Sequence, residues 1–168
     1  MIQKKICMVG VFGTGKTSLV RQFVHSKFSE KYHSTVGVKI DRKPVELGGT
    51  TVNLLLWDLE GRDGTQDIQT SYLRGASGII YVADGTRVRT FDQVFELRAI
   101  ADEALGVVPS VCAVNKVDLV DAWQLGDERL AELDPTQWHA LTTSAKTGAG
   151  VEEAFHWLAG AVIGERSQ

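Results

Sequence analysis

Lys16 and Thr17 close the run Gly10-Val11-Phe12-Gly13-Thr14-Gly15-Lys16-Thr17, a G-x-x-x-x-G-K-[ST] spacing suited to holding a polyphosphate. Glycines let successive backbone N–H groups turn inward around phosphate oxygens, and a following helix adds the partial positive charge of its N-terminus. Lys16 offers a mobile point charge to β- and γ-phosphates, and the Thr17 hydroxyl a hard oxygen to Mg²⁺. Gly13, Thr14, Gly15 and Ser18 complete the candidate phosphate cradle. The apolar run Ile6-Cys7-Met8-Val9 before it and the amphipathic segment after it supply the strand–loop–helix context the chemistry needs. An ordinary glycine turn can carry the same letters, so the remaining chain decides.

Three further groups have matching chemistry. In Trp57-Asp58-Leu59-Glu60-Gly61, Asp58 can hold Mg²⁺ through water, and Gly61 leaves an N–H free for a γ-phosphate. In Asn115-Lys116-Val117-Asp118, the Asp118 carboxylate can accept hydrogen bonds from the adjacent N–H and NH₂ donors of guanine, a pair adenine lacks. Asn115 can tie this loop to the phosphate loop, and the stem of Lys116 can lie over a purine face. In Thr143-Ser144-Ala145-Lys146, the Ala145 N–H can donate to the guanine carbonyl.

The elements that must position these groups alternate. Strands are expected at Lys4–Val9, Lys39–Leu47, Thr51–Asp58, Gly78–Ala83, Ser110–Val114 and His139–Thr143. Helices are expected at Lys16–Val24, Thr65–Arg74, Thr90–Leu105 (with Thr90 as cap), Asp127–Leu133 and Val151–Val162. Gly48-Gly49 suits a tight hairpin turn, and Lys27–Gly37 is a long polar loop of the kind kept for function. After the hairpin every connection is long enough for a crossover helix. The expected fold is therefore α/β, a mostly parallel six-stranded sheet with one antiparallel edge strand and helices on both faces. Each chemical group falls at the carboxyl end of a strand, where such sheets bind ligands.

Composition excludes several classes. At 168 residues, with 43% apolar and 23% charged residues, the chain reads as one soluble domain, 1–168. A net charge of −3 and the lack of a basic block argue against nucleic acid or an anionic membrane as partner. Cys7 and Cys112 lie in apolar runs and read as buried reduced thiols, which fits an intracellular protein; a cytoplasmic monomer is expected. Residue 2 is Ile and the last four residues carry no cysteine, so no lipid anchor is expected within this sequence. Trp123, Trp138 and Trp157 read as packing residues and Asp84 as a turn residue. The four histidines, His25, His33, His139 and His156, show no metal-ligand spacing.

From Lys4 to Val162 the chain resembles a P-loop small GTPase of the Ras superfamily, nearest in pattern to the Rab branch. Phe28, Tyr32 and Ser34-Thr35-Val36-Gly37-Val38 stand as the first switch loop does there, and Ser71-Tyr72-Leu73-Arg74-Gly75-Ala76 resembles the segment after the second. The resemblance implies GTP, GDP and Mg²⁺ as ligands. It places Phe28 and Tyr32 beside the nucleotide, and Lys116, Ser144 and Lys146 around the base. It also implies that Thr35 binds Mg²⁺ by its side chain and the γ-phosphate by its backbone. Lys16, Thr35, Gly61 and the residue at position 62 would carry hydrolysis. Effectors and regulators would be met through loops 27–37 and 59–74, which relax when the γ-phosphate leaves.

Two departures stand out. Where the family has Asp-Thr-Ala-Gly-Gln, this chain reads Asp58-Leu59-Glu60-Gly61-Arg62. Arginine cannot accept a hydrogen bond from the attacking water, so Arg62 is either a solvated loop residue or a cation that steadies the transition state. Phe12 puts a ring where many relatives carry glycine, crowding the approach of an arginine supplied by a partner. The leading functional reading is a guanine-nucleotide switch with slow intrinsic hydrolysis. A module that holds GTP or GDP without turnover is the alternative, and the Asn115–Asp118 motif argues against an ATP-using enzyme.

Overall fold

Alternation along the central strands sorts the apolar side chains into two cores. The computed structural model describes residues 2–31 and 35–164; the expectations for Tyr32, His33 and Ser34 lie outside them. β1 (Ile2–Val9) sends Ile6 and Met8 to one core and Cys7 and Val9 to the other. β4 (Gly78–Asp84) divides Ile80 and Val82 from Ile79, Tyr81 and Ala83 in the same way. Strands apolar on both faces must be covered on both.

α1 (Lys16–His25) and α4 (Val151–Val162) cover the first face with Leu19, Phe23, Phe155 and Leu158 at helical spacing. The Phe23 and Phe155 rings stack with centroids 4.1 Å apart. α2 (Val88–Leu105) covers the second face with Phe91, Val94, Leu97 and Ala101. Trp138 is buried edge-on against Tyr81, while Trp123 and Trp157 pack partly buried against the two cores, so all three serve packing. Both cysteines are free and buried, and burial pushes each thiol up to about 12.

The sheet has the order β2-β3-β1-β4-β5-β6. β2 (Val38–Leu47) runs antiparallel to β3 (Thr50–Leu59) across the Gly48-Gly49 turn, where both glycines have positive φ (53° and 86°). β5 (Ser110–Asn115), β6 (His139–Thr143) and the remaining neighbours pair parallel. This is the expected α/β sheet with one antiparallel edge. The strand order reverses at β1, so the loop after it opens at the switch point of the sheet.

Three expected helices are corrected. Thr65–Arg74 is not one helix but two 3₁₀ turns, Thr65–Asp67 and Thr70–Leu73, because Ile68 and Gln69 between them leave helical geometry (ψ 134° and 88°). Ile68 and Leu73 pack on the second core, and that tertiary demand overrides a weak local propensity. α2 begins at Val88, so Thr90 is not its cap but lies inside its first turn, accepting from the Asp84 N–H at 2.9 Å. The segment expected at Asp127–Leu133 is a helix only over α3 (Asp127–Leu130) and continues as isolated turns toward Pro135, which has no N–H to extend it.

Candidate functional site

The carboxyl ends of β1, β3, β5 and β6 surround a cleft of about 450 Å³ floored by the loop 10–17. That loop is locked from behind. Asn115, the last residue of β5, donates through Nδ2 to the Thr14 carbonyl at 3.1 Å and accepts from Thr143 Oγ1, at the end of β6, at 3.0 Å. Gly15 (φ +102°) passes so close to Asn115 that a Cβ would collide with its Nδ2, so glycine is required there. Lys116 holds a left-handed backbone (φ 75°) unusual for a lysine, and its Nζ reaches the Gly13 carbonyl at 3.0 Å and Asp84 at 2.9 Å.

Lys16 lies buried on the cleft floor with Nζ 3.1 Å from the Val11 carbonyl. Burial lowers its ammonium to about 8; the nearby Asp58 charge works against that shift and Arg87 works with it. An anionic ligand in the cleft would offset the cost of burying this charge.

Thr17, Thr35 and Asp58 gather three hard oxygen donors at one edge of the floor. Thr17 Oγ1 donates to Asp58 Oδ2 at 2.6 Å and lies 2.6 Å from Thr35 Oγ1, which is itself 3.4 Å from that carboxylate. Asp58 Oδ1 is buried and finds no hydrogen-bond partner among the described residues. Burial pushes the Asp58 carboxyl up, against hydrogen bonds from Thr17 and Thr35 and the charges of Lys16 and Lys39. An orphaned buried carboxylate oxygen beside two hydroxyls fits a small hard cation such as Mg²⁺.

At the far end, Ser144 Oγ donates to Asp118 Oδ1 at 2.7 Å and accepts the Thr147 N–H at 3.0 Å. The hydroxyl has one hydrogen, so its direction is fixed, and Asp118, which lines the cleft, keeps Oδ2 for a ligand. Phe28 stands 39% exposed at the rim, and Lys146 meets Glu30 at 3.0 Å across the opening. Ser18, Gly61 and Ala145 also face the cleft.

Arg62 does not face the cleft. Its Nε and Nη2 lie 2.8 and 2.7 Å from Glu60 Oε2, and its carbonyl accepts the Phe12 N–H at 3.0 Å. Glu60, by contrast, does face the cleft. Reading the sequence missed Asp84 as more than a turn residue. It is buried, accepts two hydrogen bonds from Thr86, and pairs with Arg87 at 3.0 Å as well as with Lys116. Burial works to raise its carboxyl, but Thr86 and Lys116 hold it below the usual carboxylate range. The available signal was its place at the end of β4, level with the other strand-end groups.

Residues 5–164 match the family model described as Ras family. The chain is 38% identical over 161 residues to the Ras-related protein Rab-1 of Theileria annulata, covering 94% of this chain and 73% of that protein. It is 36% identical over 157 residues to the Ras-related protein Rab-8B of Homo sapiens, covering 92% and 76%. With the Ras-related protein Rab-10 of Caenorhabditis elegans it shares 34% identity over 163 residues, covering 95% and 80%.

Proposed function

Because the chain belongs to the Ras family, as a Rab-like GTPase that binds GTP and GDP with Mg²⁺ and switches by hydrolysing GTP, we propose that its working parts are the residues gathered at this cleft. The loop 10–17 and Lys16 hold the phosphates. Thr17, Thr35 and Asp58 hold Mg²⁺, which screens the phosphate charge. Asp118, Ser144, Ala145, Lys116 and Asn115 select guanine, with Phe28 and Lys146 flanking the base and ribose; Tyr32 would join them as the family resemblance implies. One observation carries this reading: the Asp118 carboxylate, oriented by the Ser144 hydroxyl, lines the same cleft as the buried Lys16 and as Thr17 and Thr35, whose hydroxyls meet the buried Asp58 with its orphaned oxygen.

The finer reading is a single-domain monomer of low intrinsic turnover. Its partners engage loops 27–37 and 59–74, which the Gly37–Glu60 backbone hydrogen bond of 2.8 Å joins. Low turnover is supported by the arginine itself, paired with Glu60 at the position where a glutamine would orient water. Work in the cytoplasm is the expected setting; among the described residues no helix is long and apolar enough to cross a membrane. The experiment is to identify the nucleotide retained on purification and follow phosphate release from bound GTP in a single turnover. Retained guanine nucleotide with slow release supports the proposal; retained adenine nucleotide refutes the base assignment.

A further inference from the structure

We propose that Arg87 is a positioning residue for phosphate binding: joined through Asp84 to Lys116, it pins the Phe12 carbonyl outward and thereby aims the Gly13 N–H into the cleft. The inference rests on the nucleotide reading of this cleft.

Four successive carbonyls of the phosphate loop each accept from a side chain. Val11 O takes Lys16 Nζ at 3.1 Å and Thr14 Oγ1 at 3.2 Å; Phe12 O takes Arg87 Nη2 at 2.8 Å. Gly13 O takes Lys116 Nζ at 3.0 Å and Thr14 O takes Asn115 Nδ2 at 3.1 Å. In a planar trans peptide the C=O and the next N–H point in opposite directions. Holding the Phe12 carbonyl outward therefore directs the Gly13 N–H inward, as Lys116 does for Thr14 and Asn115 for Gly15.

The peptide between Phe12 and Gly13 needs this support most. Gly13 has φ +78°, a glycine conformation from which a peptide turns over with little steric resistance. It also leaves room for the anchor: a Cβ at Gly13 would sit 3.2 Å from Arg87 Nη2. The anchor is itself anchored. Asp84 is 1% exposed, Thr86 occupies its Oδ1 through both N–H and hydroxyl, and Oδ2 meets Arg87 Nε at 3.0 Å and Lys116 Nζ at 2.9 Å. One carboxylate oxygen thus couples two cations on two neighbouring loop carbonyls. Arg87 does not line the cleft, so its effect on a ligand passes through the loop.

The test compares the parent with R87A, R87K and, as reference, the exposed neighbour R89A. Release of a fluorescent GDP is timed in Mg²⁺, and the ³¹P resonances of bound GDP are recorded. Losing a charge-assisted anchor should speed GDP release about ten- to a hundredfold and shift the β-phosphate resonance, while the preference for guanine over xanthine stays. R87K, which spans only one of the two partners, should recover part of the loss. R87A is expected to fold, because the Arg87 side chain is 46% exposed and Asp84 keeps Lys116. Release within about twofold of the parent and of R89A, or an unmoved β-phosphate resonance with R87K no better than R87A, overturns the proposal. A parent that does not hold GDP refutes the nucleotide reading instead.

Discussion

Replacing Asp118 by Asn should convert the site from guanine to xanthine, and the orientation of the new amide follows from the structure. Ser144 Oγ accepts the Thr147 N–H and must spend its single hydrogen on Asp118 Oδ1. In D118N that hydrogen still needs an acceptor, so the amide carbonyl takes the Oδ1 position and the NH₂ takes the Oδ2 position. Guanine then meets a donor with two donors. Two charge-assisted hydrogen bonds, each worth roughly 1.5–3 kcal/mol, are lost, which is about two to four powers of ten in affinity. Xanthine presents a carbonyl at the same position and gains a partner. The assay is competition of GDP and xanthosine diphosphate against a fluorescent nucleotide on parent and D118N. S144A serves as a control that frees the amide to turn and should blunt the switch. An unchanged guanine preference in D118N would refute the placement of Asp118 in base recognition.

Lys16→Ala should weaken GDP binding by at least roughly 1.5–3 kcal/mol, one charge-assisted contact, measured by titration; unchanged affinity would remove Lys16 from the phosphate site. Arg62→Gln should raise the single-turnover hydrolysis rate. Freeing position 62 from Glu60 breaks an exposed pair worth at most about 1 kcal/mol, and GTP affinity should hold. A fall in both R62Q and R62A would instead mark Arg62 as an internal arginine finger, and no change in either would deny it a catalytic role. Gly85→Ala places a Cβ inside the Trp123 ring, whose Nε1 is held by the Leu125 carbonyl at 2.7 Å. Overpacking of this kind costs about 1–3 kcal/mol, or about 2–12 °C in Tm for a domain of this size, and should change Trp123 emission.

The parts of the site that were legible in the sequence are those whose chemistry is written in consecutive residues. The phosphate loop, the Asn115–Asp118 group and the Thr143–Lys146 group each need neighbours along the chain, because one strand end and one turn build each of them. The sheet was legible for a related reason: strands apolar on both faces leave few places to sit. Arg87 was not legible, since its partner Phe12 lies 75 residues away and nothing local marks an arginine as an anchor. The pairing of Arg62 with Glu60 was equally hidden, because i and i+2 side chains meet only in a backbone shape that spacing does not specify. The 3₁₀ turns at Thr65–Asp67 and Thr70–Leu73 follow the second core rather than local propensity, which is why a continuous helix was the wrong expectation there.

The hydrogen bond from Glu60 N–H to the Gly37 carbonyl continues the β2–β3 ladder one rung beyond its last pair, Val38 with Leu59. Backbone from Gly37 to Glu60 therefore forms a hairpin whose open end is closed by that rung. Gly48-Gly49 shuts the opposite end, so the ladder can fray only from the nucleotide side, like a zipper with one slider. The two loops then cannot open independently: losing that rung frees both, and each further rung lost travels down an outer strand of the sheet. A protein gripping β2 would sense the state of the nucleotide as the length of strand still zipped, without touching the cleft.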